Sequence, residues 1–171
     1  MKKILVGLIS ASLCFSIMQP VMAFENTNLI QAKKNTQKNI VDGIYNIQED
    51  GQCLEIEGDN IAFRNPLEKA KTQKWVFAQA DDGEFAIISL GTGYCFGISG
   101  KKDLDNAEIS FSPYRGKSAQ GWNLKKEKNG EFSIRSVLDP TYVLSFDEGA
   151  SPSLVKEDTE TPTYTISYVR D

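Results

Sequence analysis

The chain has 171 residues, of which 25% are charged, with 19 Lys and Arg against 23 Asp and Glu for a formal net charge of −4, and it contains no histidine. An acidic chain without a basic patch excludes nucleic acid or an anionic membrane as the main partner. The missing histidine removes the commonest general base near neutral pH, and with it a Cys-His nucleophile or a zinc site with His ligands.

The chain opens on the cationic Met1-Lys2-Lys3, continues through an apolar run from Ile4 to Ile17, breaks at Gln19-Pro20 and ends the segment on Val21-Met22-Ala23. Charge, apolar stretch and small-residue exit in that order make a secretory signal, and the run is too short to span a bilayer. Residues 1–23 therefore read as a signal peptide of bacterial type, and the protein as secreted or periplasmic. Cys14 follows Leu13, where a lipoprotein signal needs a small residue, so no lipid anchor is expected. The remaining chain has the size of one domain. Residues 24–40 are rich in Asn, Gln, Thr and Lys and read as a flexible N-terminal arm. Nothing later is long and apolar enough for membrane insertion.

From Val41 onward the pattern is short alternating strands separated by Gly, Asp, Asn and Pro, which predicts an all-β domain over 41–171. Three blocks recur in order. Asp42-Gly43-Ile44-Tyr45-Asn46-Ile47 matches Asp82-Gly83-Glu84-Phe85-Ala86-Ile87 and Asn129-Gly130-Glu131-Phe132-Ser133-Ile134. The second block reads Gln52-Cys53-Leu54-Glu55-Ile56, Tyr94-Cys95-Phe96-Gly97-Ile98 and Tyr142-Val143-Leu144-Ser145-Phe146. The third reads Gln73-Lys74-Trp75, Gln120-Gly121-Trp122 and the weaker Pro162-Thr163-Tyr164. A period of roughly 40 to 47 residues predicts three units, about 41–80, 81–127 and 128–171, each completed by its neighbours. Three propeller blades would be too few, so closed threefold packing is expected. The Asp/Asn-Gly pairs read as turns. Trp75, Trp122 and Tyr164 should form one core layer, while the Gln73 and Gln120 amides satisfy backbone groups at the strand entry.

Two Gln-x-Trp closures, each preceded by a Cys-Leu-Glu-Ile-type strand, resemble the ricin-type β-trefoil lectins over nearly all of 41–171. The resemblance implies a β-trefoil with a pseudo-threefold repeat of four-stranded units, and a shallow sugar pocket in each unit. Such a pocket uses an acid two places after the strand cysteine, an aromatic platform and an amide before Gln-x-Trp. Carried over, the first unit offers Glu55 as the acid, Phe63 as the platform, Thr72 where asparagine is expected, and Gln73. The second unit has Gly97 at the acidic place and Phe111 near the platform. The third has Ser145 and lacks the glutamine, with Asp147 one pair further along. The family's local disulfide is missing, because Asn65 and Pro113 lie near the places of its second cysteine. Cys53 and Cys95 could instead pair with each other, which requires Cα atoms within about 7 Å. Threefold-related positions meet that limit only near the axis, so bonded and free thiols both stay open.

No catalytic residues, cofactor or metal are expected. The resemblance implies a lectin-like protein that binds a glycan or glycoprotein on a cell surface. It is also similar to the delivery subunits of bacterial toxins, in which the partner is another toxin subunit. Two alternatives stand beside it: a protein-interaction trefoil without sugar binding, and a trefoil protease inhibitor with Lys101 to Asn106 as its reactive loop.

Overall fold

The computed structural model describes residues 40–170 apart from 59, 81–82, 100–102, 147–150 and 159. The segments expected as signal peptide, 1–23, and as N-terminal arm, 24–40, lie outside the described residues except for Ile40, as do Asp82 and Asp147. Among the described residues twelve strands follow one another: β1 Gly43–Glu49, β2 Gln52–Glu57, β3 Asn60–Arg64, β4 Trp75–Gln79, β5 Phe85–Ser89, β6 Tyr94–Ser99, β7 Glu108–Pro113, β8 Trp122–Lys126, β9 Phe132–Ser136, β10 Tyr142–Ser145, β11 Ser153–Lys156 and β12 Thr165–Tyr168.

The pairing makes the repeat explicit. Tyr45 lies opposite Trp75 between β1 and β4, Phe85 opposite Trp122 between β5 and β8, and Phe132 of β9 opposite Tyr164, which directly precedes β12. Antiparallel pairings β4–β5, β8–β9 and β12–β1 join these into a closed barrel. The other strands form three hairpins, β2–β3, β6–β7 and β10–β11. Their inward residues Leu54, Phe96 and Leu144 share one core with the barrel's Ile47, Ile87 and Ile134. This arrangement is a β-trefoil.

The ring layer ties hairpins to barrel. Trp75 and Trp122 are 0% exposed and Tyr164 1%. Trp75 Nε1 donates to the Leu54 carbonyl at 3.0 Å, Trp122 Nε1 to Phe96 at 3.3 Å and the Tyr164 hydroxyl to Leu144 at 3.2 Å. A tyrosine replaces tryptophan in the third unit because its hydroxyl reaches the same carbonyl. The turn reading of the Asp/Asn-Gly pairs needs one revision. Gly83 and Gly130 take positive φ, but Gly43 is the first residue of β1, and a Cβ there would lie 2.9 Å from the Tyr168 ring. Gly43 therefore lies in a strand under the Tyr168 ring rather than in a turn.

A buried cation distinguishes the third unit. Arg135 on β9 is 5% exposed and occupies the place held by Gln48 and Ile88 in the other units. Its guanidinium donates to both Glu157 carboxylate oxygens at 2.8 and 2.6 Å, to Glu127 at 3.1 Å and to the Pro140 carbonyl at 2.9 Å, while its Nε meets the Ser133 hydroxyl at 2.9 Å. Such a cation is tolerated in the interior only because its donors are matched. Arg135, then Lys125, holds the Glu157 carboxyl down at about 2.

Two outcomes test these ties. Tyr164→Phe removes one buried donor and should cost about 1 kcal/mol. Trp122→Phe also removes volume and should cost roughly 2–4 kcal/mol, both read by urea unfolding. Because Glu157 titrates lower folded than unfolded, its stabilisation is complete above its ordinary value of 4.5 and disappears as pH falls toward about 2. The stability gap between wild type and Glu157→Gln should therefore be full at neutral pH and shrink across that window.

Candidate functional site

In the first unit the structure brings Glu55, Thr72 and Gln73 together. Glu55 stands half-buried on β2, and Thr72 and Gln73 end the short 3-10 turn Lys71–Gln73 that precedes β4. The Thr72 hydroxyl donates to Glu55 Oε1 at 2.7 Å, and the Gln73 amide donates to Glu55 Oε2 at 3.0 Å. Gln73 is itself buried: its amide nitrogen also donates to the Asn65 carbonyl at 2.9 Å, and its oxygen accepts from Leu67 N–H at 2.8 Å. The loop is thus pinned to the hairpin, and the carboxylate is held in one orientation. Each carboxylate oxygen keeps a further lone pair for a ligand donor.

Phe63 does not join this group, which corrects the platform expectation. In the β2–β3 register Phe63 faces Leu54, whereas Glu55 faces Ala62. Cross-strand partners share a sheet face and neighbours along a strand alternate, so Phe63 and Glu55 point to opposite faces. The Phe63 ring packs inward, stacked on Tyr164 at 6.0 Å and edge-on to Phe146 at 6.2 Å. Phe111 repeats this against Phe96 at 5.0 Å. The places that face the family's acid are Ala62, Ser110 and Ser153, none of them a ring.

The second and third units lack the acid. A Cβ at Gly97 would lie 3.1 Å from Gln120 Cγ, so a side chain there would need a small shift of the glutamine. Gln120 otherwise works as Gln73 does, accepting from Arg115 N–H at 2.8 Å and donating to the Pro113 carbonyl at 3.0 Å, with Ser112 Oγ at 3.1 Å in place of a carboxylate. In the third unit Ser145 is 3% exposed, and the segment before Tyr164 is closed by a Thr161–Asp158 turn instead of a glutamine.

Of the loop Lys101 to Asn106, Lys101 and Lys102 lie outside the described residues. The rest is anchored: Asp103 accepts from Asp105 N–H at 3.1 Å, and the Tyr142 hydroxyl donates to Asp105 Oδ1 at 2.5 Å. That bond pushes the Tyr142 hydroxyl up to about 12. Among the described residues no group of acids and cysteines is placed to hold a metal, and no helix is long and apolar enough to cross a membrane.

The cysteines settle on the unbonded alternative. Cys53 and Cys95 are both free and buried, each engaged on its own hairpin. Cys53 Sγ accepts from Gln48 Nε2 at 3.6 Å, and Cys95 Sγ donates to the Ser112 carbonyl at 3.3 Å. Burial pushes both thiols up, so neither is a ready nucleophile. Iodoacetamide should therefore label the Cys53 and Cys95 peptides only after denaturation, without prior reductant, as read by mass spectrometry. Labelling that required reductant would show a bridge.

Comparison with known proteins agrees with this architecture. The ricin-type beta-trefoil lectin domain-like family matches residues 71–167. No curated protein matches the sequence. A mosquitocidal holotoxin superposes with a TM-score of 0.66 at 16% identity, over 77% of this chain but only 18% of the toxin chain. The Macrolepiota procera ricin B-like lectin, solved in complex with lactose, gives 0.60 at 18% identity over 77% of this chain and 99% of the lectin. The Haemophilus ducreyi cytolethal distending toxin gives 0.57 at 13% identity over 77% and 89% of the two chains. At these identities the superpositions establish the trefoil fold, while the sequence match, more than half the chain long, gives its lineage: the protein belongs to the ricin-type β-trefoil lectin-like family.

Proposed function

We propose that this protein is a secreted, non-catalytic, carbohydrate-binding trefoil whose glycan site lies in the first unit and is centred on Glu55. The observation that carries the reading is the carboxylate at the family's acidic place, pre-oriented by Thr72 and Gln73 and still half-open to solvent. A carboxylate so held accepts hydrogen bonds from two adjacent sugar hydroxyls with little ordering cost. Its charge favours a neutral pyranose over a sialylated or sulfated one, since like charges repel at contact distance. Glu55 would accept the hydroxyls, Thr72 and Gln73 would hold it, and Phe63 would support the site only as core.

The leader-like residues 1–23 support an exported protein, released or periplasmic. The toxin neighbours support a role as the cell-binding part of a multi-subunit toxin, with a surface glycoprotein as one partner and a catalytic subunit as the other. A protein-interaction trefoil is the second reading. It is favoured by the small residues Ala62, Ser110 and Ser153 where a ring would back a sugar.

A glycan array probed with the folded protein tests the first reading. Neutral galactosides or glucosides should bind, and Glu55→Gln should weaken binding roughly ten- to hundredfold, the equivalent of about 1.5–3 kcal/mol for charge-assisted hydrogen bonds. An array silent at millimolar glycan, with a specific protein recovered in a parallel pull-down, would establish the second reading instead.

A further inference from the structure

The Glu55 site lacks a ring from its own unit, and the next unit exposes one three residues after a turn that packs on the site. Tyr94 opens β6 and is 46% exposed, although it is the first residue of a strand whose second and third residues, Cys95 and Phe96, are fully buried. The turn leading into it is tightly fixed. Ser89 Oγ accepts from Gly91 and Thr92 N–H at 3.2 Å each, Ser89 O accepts from Gly93 N–H at 2.8 Å, and Thr92 Oγ1 accepts from Tyr94 N–H at 3.2 Å. This turn packs on the Glu55 site: a Cβ at Gly91 would lie 3.2 Å from both Cα and N of Thr72, whose hydroxyl is bonded to Glu55.

The repeat offers a precedent for a ring at this place. The third-unit equivalent of Tyr94 is Tyr142, which is 8% exposed and crosses to the preceding unit, where its hydroxyl meets Asp105 beyond the end of the β6–β7 hairpin. Asp105 lies between β6 and β7 in the 3-10 turn Leu104–Asn106. The first unit's hairpin has no such connection: Glu57 and Asn60 face each other directly across it. The pseudosymmetry assigns Tyr94 the same approach to the first unit, where the connection that meets Tyr142 has no counterpart. The result is a solvent-facing ring on a rigid turn at the boundary of the two units.

We infer that Tyr94 supplies the aromatic platform of the Glu55 site from across the unit boundary, so that the ligand is a pyranose gripped by a carboxylate of unit one and a ring of unit two. This rests on the glycan reading above. Tyrosine suits the role because its ring covers the apolar sugar face while its hydroxyl stays wet, and a fixed turn leaves little entropy to lose.

The test titrates the protein with the best neutral glycan of the array, with Tyr94→Ala, Tyr94→Phe and Glu55→Gln in parallel and thermal melting to confirm that each variant folds. Tyr94→Ala should weaken binding a few-fold to about tenfold. Tyr94→Phe, which keeps the ring, should bind within about twofold of wild type. Ring resonances of Tyr94, assigned by their loss in Tyr94→Phe, should shift on saturation. If Glu55→Gln loses binding while Tyr94→Ala keeps it, the platform is overturned and the glycan site stands. If wild type binds no glycan, both are overturned together.

Discussion

Three buried hydrogen bonds hold the hairpins to the barrel: those from Trp75, Trp122 and Tyr164 to the carbonyls of Leu54, Phe96 and Leu144. Each satisfies a main-chain oxygen that the hairpin carries into the interior, where leaving it bare would cost as much as a lost bond. The same rings fill the space between barrel strands, so one residue per unit supplies both volume and polarity. The Gln73 and Gln120 amides then fix the segment that delivers each tryptophan to its strand. The position of Thr72, and through it the orientation of Glu55, follows from that chain of contacts.

The three units share this interior and differ on the outside. At the acidic place the first unit carries a held carboxylate, the second carries a glycine covered by its own glutamine, and the third a buried serine. At the place of Gln48 and Ile88, the third unit spends its polarity inward instead, on Arg135 and its two carboxylates. The Arg135–Glu157 pair ties β9 to the end of β11 in the one unit whose closing segment lacks a glutamine. Two different devices therefore anchor equivalent segments of one fold.

The repeat was legible because its core residues recur by type as well as by spacing, and the paired Gln-x-Trp closures carried the family. The platform was not. Phe63 is the nearest ring after Glu55 in the chain, but the two-residue connection between Glu57 and Asn60 sets the hairpin parity, and parity alone turns Phe63 inward and Ala62 outward. Tyr94 was hidden differently: its place in the repeat reads as a strand opening, and its exposure depends on how short a different hairpin is. Arg135 did leave a signal, a lone cation in the otherwise alternating Phe132–Ser136 strand. Its partner Glu157, 22 residues away, sits in what reads as a solvated acidic run. The free cysteines follow the same logic, since equivalent places in two units are kept apart by the pseudosymmetry that makes them look alike.

The pairing of β1 with β12 has a consequence for how the chain reaches this state. Tyr45 to Gln48 are hydrogen-bonded in register with Tyr168 to Thr165, so the first strand, already paired with β2 and β4, finds its other barrel neighbour only in β12. Between them a bridge from Phe132 of β9 to Tyr164, just before β12, completes the barrel. A polypeptide made only as far as β11 has two complete units and an open seam, with both edges of that seam unsatisfied. Contacts so distant along the chain close slowly, on the millisecond-to-second scale typical of all-β topologies. Closure of the barrel is thereby tied to the pairing of β1 with β12.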